Sequence, residues 1–106
     1  MNYLQYKNLY PKTLTKYFNW VVNHKETDFS NFFKYLGFEE TNDLHDYPII
    51  FSINNPSYLK ILKADTNFFS DKNIFYHDEN SISIEANKGI ESVLKCIEIL
   101  LNHNKL

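Results

Sequence analysis

Two His-Asp dipeptides, His45-Asp46 and His77-Asp78, are the residues best suited by type to chemistry. An imidazole beside a carboxylate can ligate a divalent metal or relay a proton. A metal site built from Asp43, His45, Asp46, His77, Asp78 and Glu79 would require two separate segments to meet, with ligand atoms roughly 2.0–2.2 Å from a zinc ion. Both segments read as solvated: an acidic loop over 39–46 and a hairpin tip at 78–80. The carboxylate pairs Glu39/Glu40 and Asp78/Glu79 are neighbours in sequence, whereas acid–base pairs need pocket walls that push their pKa values apart.

The His-Asp dipeptide resembles the signature of the metal-dependent phosphohydrolases named for it. That family sets the dipeptide on a helix and adds further His and Asp ligands, and this context is missing here, so no metal and no cofactor is expected. Cys96 adjoins Ile97 in an apolar helical stretch, where a thiol packs as a small hydrophobe. None of the seven serines sits in a Gly-x-Ser-x-Gly turn, and glycines at 37 and 89 alone cannot build a phosphate-cradling loop. Eleven lysines and no arginine exclude any mechanism in which this chain supplies a guanidinium fork or an arginine finger. The expectation is a protein that is not an enzyme.

Asn, Lys, Ile, Phe and Tyr make up 52 of the 106 residues, the usage of an AT-rich genome such as a bacterium's or phage's, and this alone accounts for many of the aromatics. Net charge is −2 and unevenly spread: residues 1–25 carry Lys7, Lys12, Lys16 and Lys25 without an acid, and the remainder carries all 13 acids against seven lysines. Such a dipole steers charged partners, less so as salt rises. Interleaved with those first lysines are Tyr3, Tyr6, Tyr10, Tyr17 and Trp20, a pattern that holds single-stranded nucleic acid by stacking and phosphate neutralisation. The acidic net charge and the missing arginine make this the weaker reading. The longest apolar runs, 47–51 and 99–101, fall far short of the roughly 20 residues a membrane span needs. The opening residues do not read as a signal peptide, and one cysteine permits no internal disulfide, so the cytoplasm is the expected compartment.

The elements that must position these residues follow from periodicity and caps. The length suits one α+β domain over 1–106. Residues 2–10 show no clear period and read as an extended arm or short strand. Pro11 opens a helix whose stripe is Leu14, Tyr17, Phe18, Val21 and Val22. Trp20 falls about 100° from the centre of that stripe and is expected to be partly exposed, where an aromatic serves as an interface anchor. Asp28 caps a second helix carrying Phe29, Phe32, Phe33 and Leu36 and stopped by Gly37, which completes a helical hairpin bent at 24–27. Residues 47–53 read as a strand, with Pro48 near its start, and 57–63 as a helix capped by Asn55, with a return strand as the alternative. Residues 73–86 form a hairpin in which Ser81 to Ala86 alternate strictly, so one face is buried and the other wet. A long helix over 87–103 presents Ile90, Val93, Leu94, Ile97, Leu100 and Leu101. The expected architecture is an antiparallel sheet of three or four strands against an N-terminal helical hairpin and a long C-terminal helix.

A small, acidic, motif-free α+β chain with surplus aromatics is suited to recognising a basic protein surface. In type, it resembles the immunity proteins that neutralise polymorphic toxins, which implies an inhibitor of a basic partner such as a bacterial toxin nuclease. The residues expected to face that partner are Glu39, Glu40, Asp43 and Asp46 of the loop and Asp78 and Glu79 of the hairpin tip, with Tyr47, Tyr76 or Trp20 as anchors. The alternatives are a small metal-dependent hydrolase using the His-Asp loops, and single-stranded nucleic-acid binding through the basic N-terminus.

Overall fold

In the computed structural model, which describes residues 3–41, 49–76, 81–86 and 90–106, the chain begins with a helix where an extended arm was expected. This helix, α1 (Tyr3–Leu9), buries none of its residues. It is held from outside: Tyr3 stacks on Tyr17 at 6.0 Å and Tyr6 meets the edge of Phe29 at 6.1 Å. Those rings belong to α2 (Pro11–His24) and α3 (Phe29–Tyr35), the expected helical hairpin. The Asp28 carboxylate accepts from the Ser30 N–H at 2.7 Å, and Gly37, at φ +105°, ends the segment in the left-handed region that favours glycine.

The buried face of α2 is Thr13, Leu14, Tyr17 and Trp20, a stripe rotated by roughly 80° from the expected one. Trp20 is therefore a core residue at 6% exposure, and Val22, expected inside, is 76% exposed. The rotation follows from what the helix packs against: Tyr17 lies on Phe29 at 4.3 Å and Trp20 on Phe32 at 5.5 Å, so α3 claims the tryptophan side.

Four strands, β1 (Glu39–Thr41), β2 (Ile50–Asn54), β3 (Ile74–Tyr76) and β4 (Ser81–Glu85), form an antiparallel sheet in the order β1-β2-β4-β3. Residues 39–41, expected in a loop, pair with β2 in the register Glu39↔Ser52 to Thr41↔Ile50. The two central strands pair over their whole length, from Ile50↔Glu85 to Asn54↔Ser81. Alternation sends Phe51, Ile53, Ile74, Ile82 and Ile84 into the core. Between β2 and β3 run α4 (Pro56–Ala64) and the short α5 (Thr66–Phe69). The Asn55 side chain accepts from Ser57 and Tyr58 N–H at 3.0 and 3.2 Å, so the helical reading of 57–63 holds.

The last helix, α6 (Glu91–Asn102), is the spine of the molecule, with Ser92, Val93, Leu94, Cys96, Ile97, Ile99 and Leu100 buried. It also caps α2. Tyr10, the residue before that helix, offers no side-chain cap; Glu98 supplies one from α6, accepting from the Thr13 N–H at 2.9 Å and the Thr13 hydroxyl at 3.0 Å. First-turn N–H groups need such acceptors, and a carboxylate also matches the helix dipole. The fold is thus the expected α+β arrangement: helices on one face of a four-stranded antiparallel sheet, tied together through α6.

Candidate functional site

The alternation that buries one face of the sheet leaves Glu39, Thr41, the half-exposed Ile50, Ser52, Asn54, Phe75, Ser81, Ser83 and Glu85 on the other. This face is open among the described residues: Phe75 is 47% exposed, Glu39, Thr41 and Asn54 are exposed, and Ser52, Ser81 and Glu85 half-exposed. Only Ser83 is buried, in a central strand beside Ser52, whose hydroxyl lies 3.0 Å from its own. Small side chains in mid-sheet leave a hollow of about 310 Å³ lined by Gly37, Glu39, Ser52, Ile53, Asn54, Ser81 and Ser83. Gly37 borders it because the left-handed turn after α3 places a residue without a side chain there; an added Cβ would meet nothing within 4 Å.

The charge on the sheet has one sign. Its strands carry Glu39, Glu40 and Glu85 and no lysine. Glu40 points to the helical side and pairs with Lys34 at 3.0 Å, so Glu39 and Glu85 are the carboxylates of the open face. Two strand spacings and two residues along the strand separate their Cα atoms by about 12 Å.

The expected site is thus divided. Glu39 lies on the open face, Glu40 is spent on an internal ion pair, and Trp20 is packed in the core instead of standing exposed as an anchor. Asp43, Asp46, Tyr47, Asp78 and Glu79, like His45 and His77, lie outside the described residues. The segments that carry them leave the sheet at opposite ends: 42–48 from Thr41, beside Ile50 and Glu85, and 77–80 from Tyr76, beside the Asn54–Ser81 end. Those ends are roughly 13 Å apart along β2. Tyr76, proposed as another anchor, faces inward, half-buried, with the Lys63 ammonium 5.6 Å above its ring.

Much of the remaining acid is structural. Asp28, Asp65 and Asp71 each accept from a backbone N–H two or three residues on, and Glu98 caps α2. The aromatics of the basic quarter are likewise engaged with one another, since Tyr3, Tyr6, Tyr17 and Trp20 contact the rings of α2 and α3.

Cys96 and Ser92 are enclosed. Complete burial pushes the Cys96 thiol well above its ordinary range, which leaves it inert. The Ser92 hydroxyl donates to Asp71 at 2.8 Å, but Ser92 is buried at 7% exposure and Asp71 also holds the Asn73 N–H at 2.9 Å, so this pair ties α6 to the turn before β3. Among the described residues no three His, Cys, Asp or Glu side chains are grouped to hold a metal ion, and no helix is long and apolar enough to cross a membrane.

Sequence reasoning missed Phe75, Glu85 and the Gly37–Ser52–Ser83 hollow. For Glu85 and for Ser83 of the hollow the signal was present. The alternation of Ser81 to Glu85 puts Ser83 and Glu85 on the wet face, whereas Gly37 and Ser52 reach the same place only through the pairing of β1 with β2. In comparison with known proteins, the chain matches no family model, no curated protein and no solved structure.

Proposed function

We propose that this protein is a protein-binding inhibitor of the immunity type, acting in the cytoplasm, which neutralises a basic partner such as a bacterial toxin nuclease by holding it against the open face of its sheet. The observation that carries this reading is a lysine-free sheet face that bears Glu39 and Glu85 together with the exposed ring of Phe75. Such a face attracts a cationic surface at long range, repels an acidic one, and offers an aromatic ring for desolvated contact. The acids Asp43, Asp46, Asp78 and Glu79 lie outside the described residues and add to the chain's negative charge. Of the lysines of residues 1–25, Lys7 lies on α1, Lys12 and Lys16 on α2 and Lys25 directly after it, away from the strands, so the charge asymmetry would orient the encounter.

The test is a tagged pull-down from cells of the source organism, read by mass spectrometry, with the Glu39→Lys/Glu85→Lys protein as control. A stoichiometric basic partner lost in the control supports the reading. A partner retained equally by both proteins removes the sheet face from the interface.

A further inference from the structure

We infer that the hollow on the open sheet face is a receptor for a single guanidinium group, the arginine side chain with which a basic protein partner anchors itself. The inference rests on the proposed partner-binding role and specifies the chemistry at its centre.

Four features carry it. The hollow, about 310 Å³, is a concavity in a sheet face that would otherwise be flat, and it exists because its floor is Ser52 and Ser83 and one wall is the side-chain-free Gly37. Among the described residues its one charged lining residue is Glu39, which makes no ion pair with any of them. The other polar groups of the lining are the Asn54 amide, the Ser81 hydroxyl, and the hydroxyls of Ser52 and Ser83, which share a hydrogen bond at 3.0 Å. A planar group with five donors in a fixed fork fits a carboxylate in a hydroxyl- and amide-lined hollow better than an ammonium, which has three donors about a point charge. Finally, none of these 106 residues is an arginine, so neither they nor a second copy of them can supply the guanidinium.

Glu85 gives the internal control. It lies on the same face and carries the same charge but does not line the hollow. General attraction between a cation and an acidic face would respond equally to the loss of either carboxylate, whereas a built receptor responds to Glu39 alone.

The experiment is an amide chemical-shift titration of the full chain with N-acetyl-arginine methylamide, repeated with the isosteric, uncharged citrulline derivative and on the Glu39→Gln and Glu85→Gln proteins. The expected result is saturable movement of the Gly37, Ser52 and Ser83 amides with a millimolar Kd. Binding should weaken about tenfold in Glu39→Gln and with citrulline, and change less than about twofold in Glu85→Gln. Absence of saturable movement at those amides overturns the inference, as does equal binding by Glu39→Gln or an equal loss in both variants. A pull-down that depends on Glu39 and Glu85 while the arginine probe leaves the hollow unmoved would discard the receptor and keep the partner-binding role. Saturable arginine binding without any captured partner would do the reverse.

Discussion

Glu98 joins the two longest helices, and its removal should have a measurable cost. Its carboxylate accepts from the Thr13 N–H at 2.9 Å and the Thr13 hydroxyl at 3.0 Å, with the Lys12 N–H farther off at 3.4 Å. Thr13 is completely buried, so its groups cannot turn to water when the carboxylate is lost; the hydroxyl keeps only a weaker bond to the Leu94 carbonyl at 3.3 Å. Loss of an N-cap costs about 1 kcal/mol, and leaving a buried donor unsatisfied about 1–3 kcal/mol, so Glu98→Ala should destabilise by about 2–3 kcal/mol. Glu98→Gln keeps an acceptor oxygen and should cost about 1 kcal/mol. Thr13→Val removes the hydroxyl but not the N–H, and its effect should be smaller in the Glu98→Ala background than alone. The assay is urea unfolding followed by fluorescence of Trp20, the one tryptophan, which is buried and reports directly on α2. A Glu98→Ala cost below about 0.5 kcal/mol, or strict additivity with Thr13→Val, would refute the cap.

Further outcomes follow from burial. Trp20→Ala should cost about 3–5 kcal/mol and Val22→Ala less than about 0.5 kcal/mol in urea unfolding followed by circular dichroism, the reverse of what the helical stripe alone suggests. Tyr17 is raised above its ordinary 10.0, first by burial, then by the Tyr3 hydroxyl and the nearby charges of Asp28 and Glu26. The fold therefore holds the neutral phenol, and this contribution is complete below pH 10 and is lost as pH rises above it. Tyr17→Phe should be about 1 kcal/mol less stable at neutral pH, having lost the hydroxyl's bond to the Thr27 carbonyl, yet show a flatter decline above pH 10 in pH-dependent melts. Cys96 should react with a thiol reagent at pH 8 only as fast as the protein opens, and a burst of modification in native buffer would contradict its burial.

Where cap and period agree in the sequence, the structure was legible. Asp28 and Gly37 bracket α3, the Ser-Ile alternation of β4 gives both its faces, and the apolar stripe of α6 makes it the core helix. Where tertiary contact decides, the sequence was silent. Helix α1 has no buried residue and only a short aromatic edge, Tyr3 and Tyr6 one turn apart, which takes effect against the rings of α2 and α3. Strand β1 is Glu-Glu-Thr, poor in strand formers, and is recruited by hydrogen bonding to β2 while Lys34 neutralises its inward glutamate. On α2 the sequence offers Trp20 and Val22 as rivals for the interior, and only the position of α3 chooses between them. The candidate site has the same character. Alternation locates the wet face, but the hollow beside Glu39 requires Gly37, Ser52 and Ser83 to come into register from three segments.

The most direct measurement is calorimetric binding of the captured basic partner to the wild-type and Glu39→Lys/Glu85→Lys proteins at low and at high salt. Reversing two carboxylates in a complementary contact should cost several kcal/mol, so at low salt the variant should bind at least about a hundredfold more weakly, with the gap narrowing as salt screens the long-range part. Affinities within about threefold of each other at low salt would contradict the account, because the open sheet face would then have no part in holding the partner.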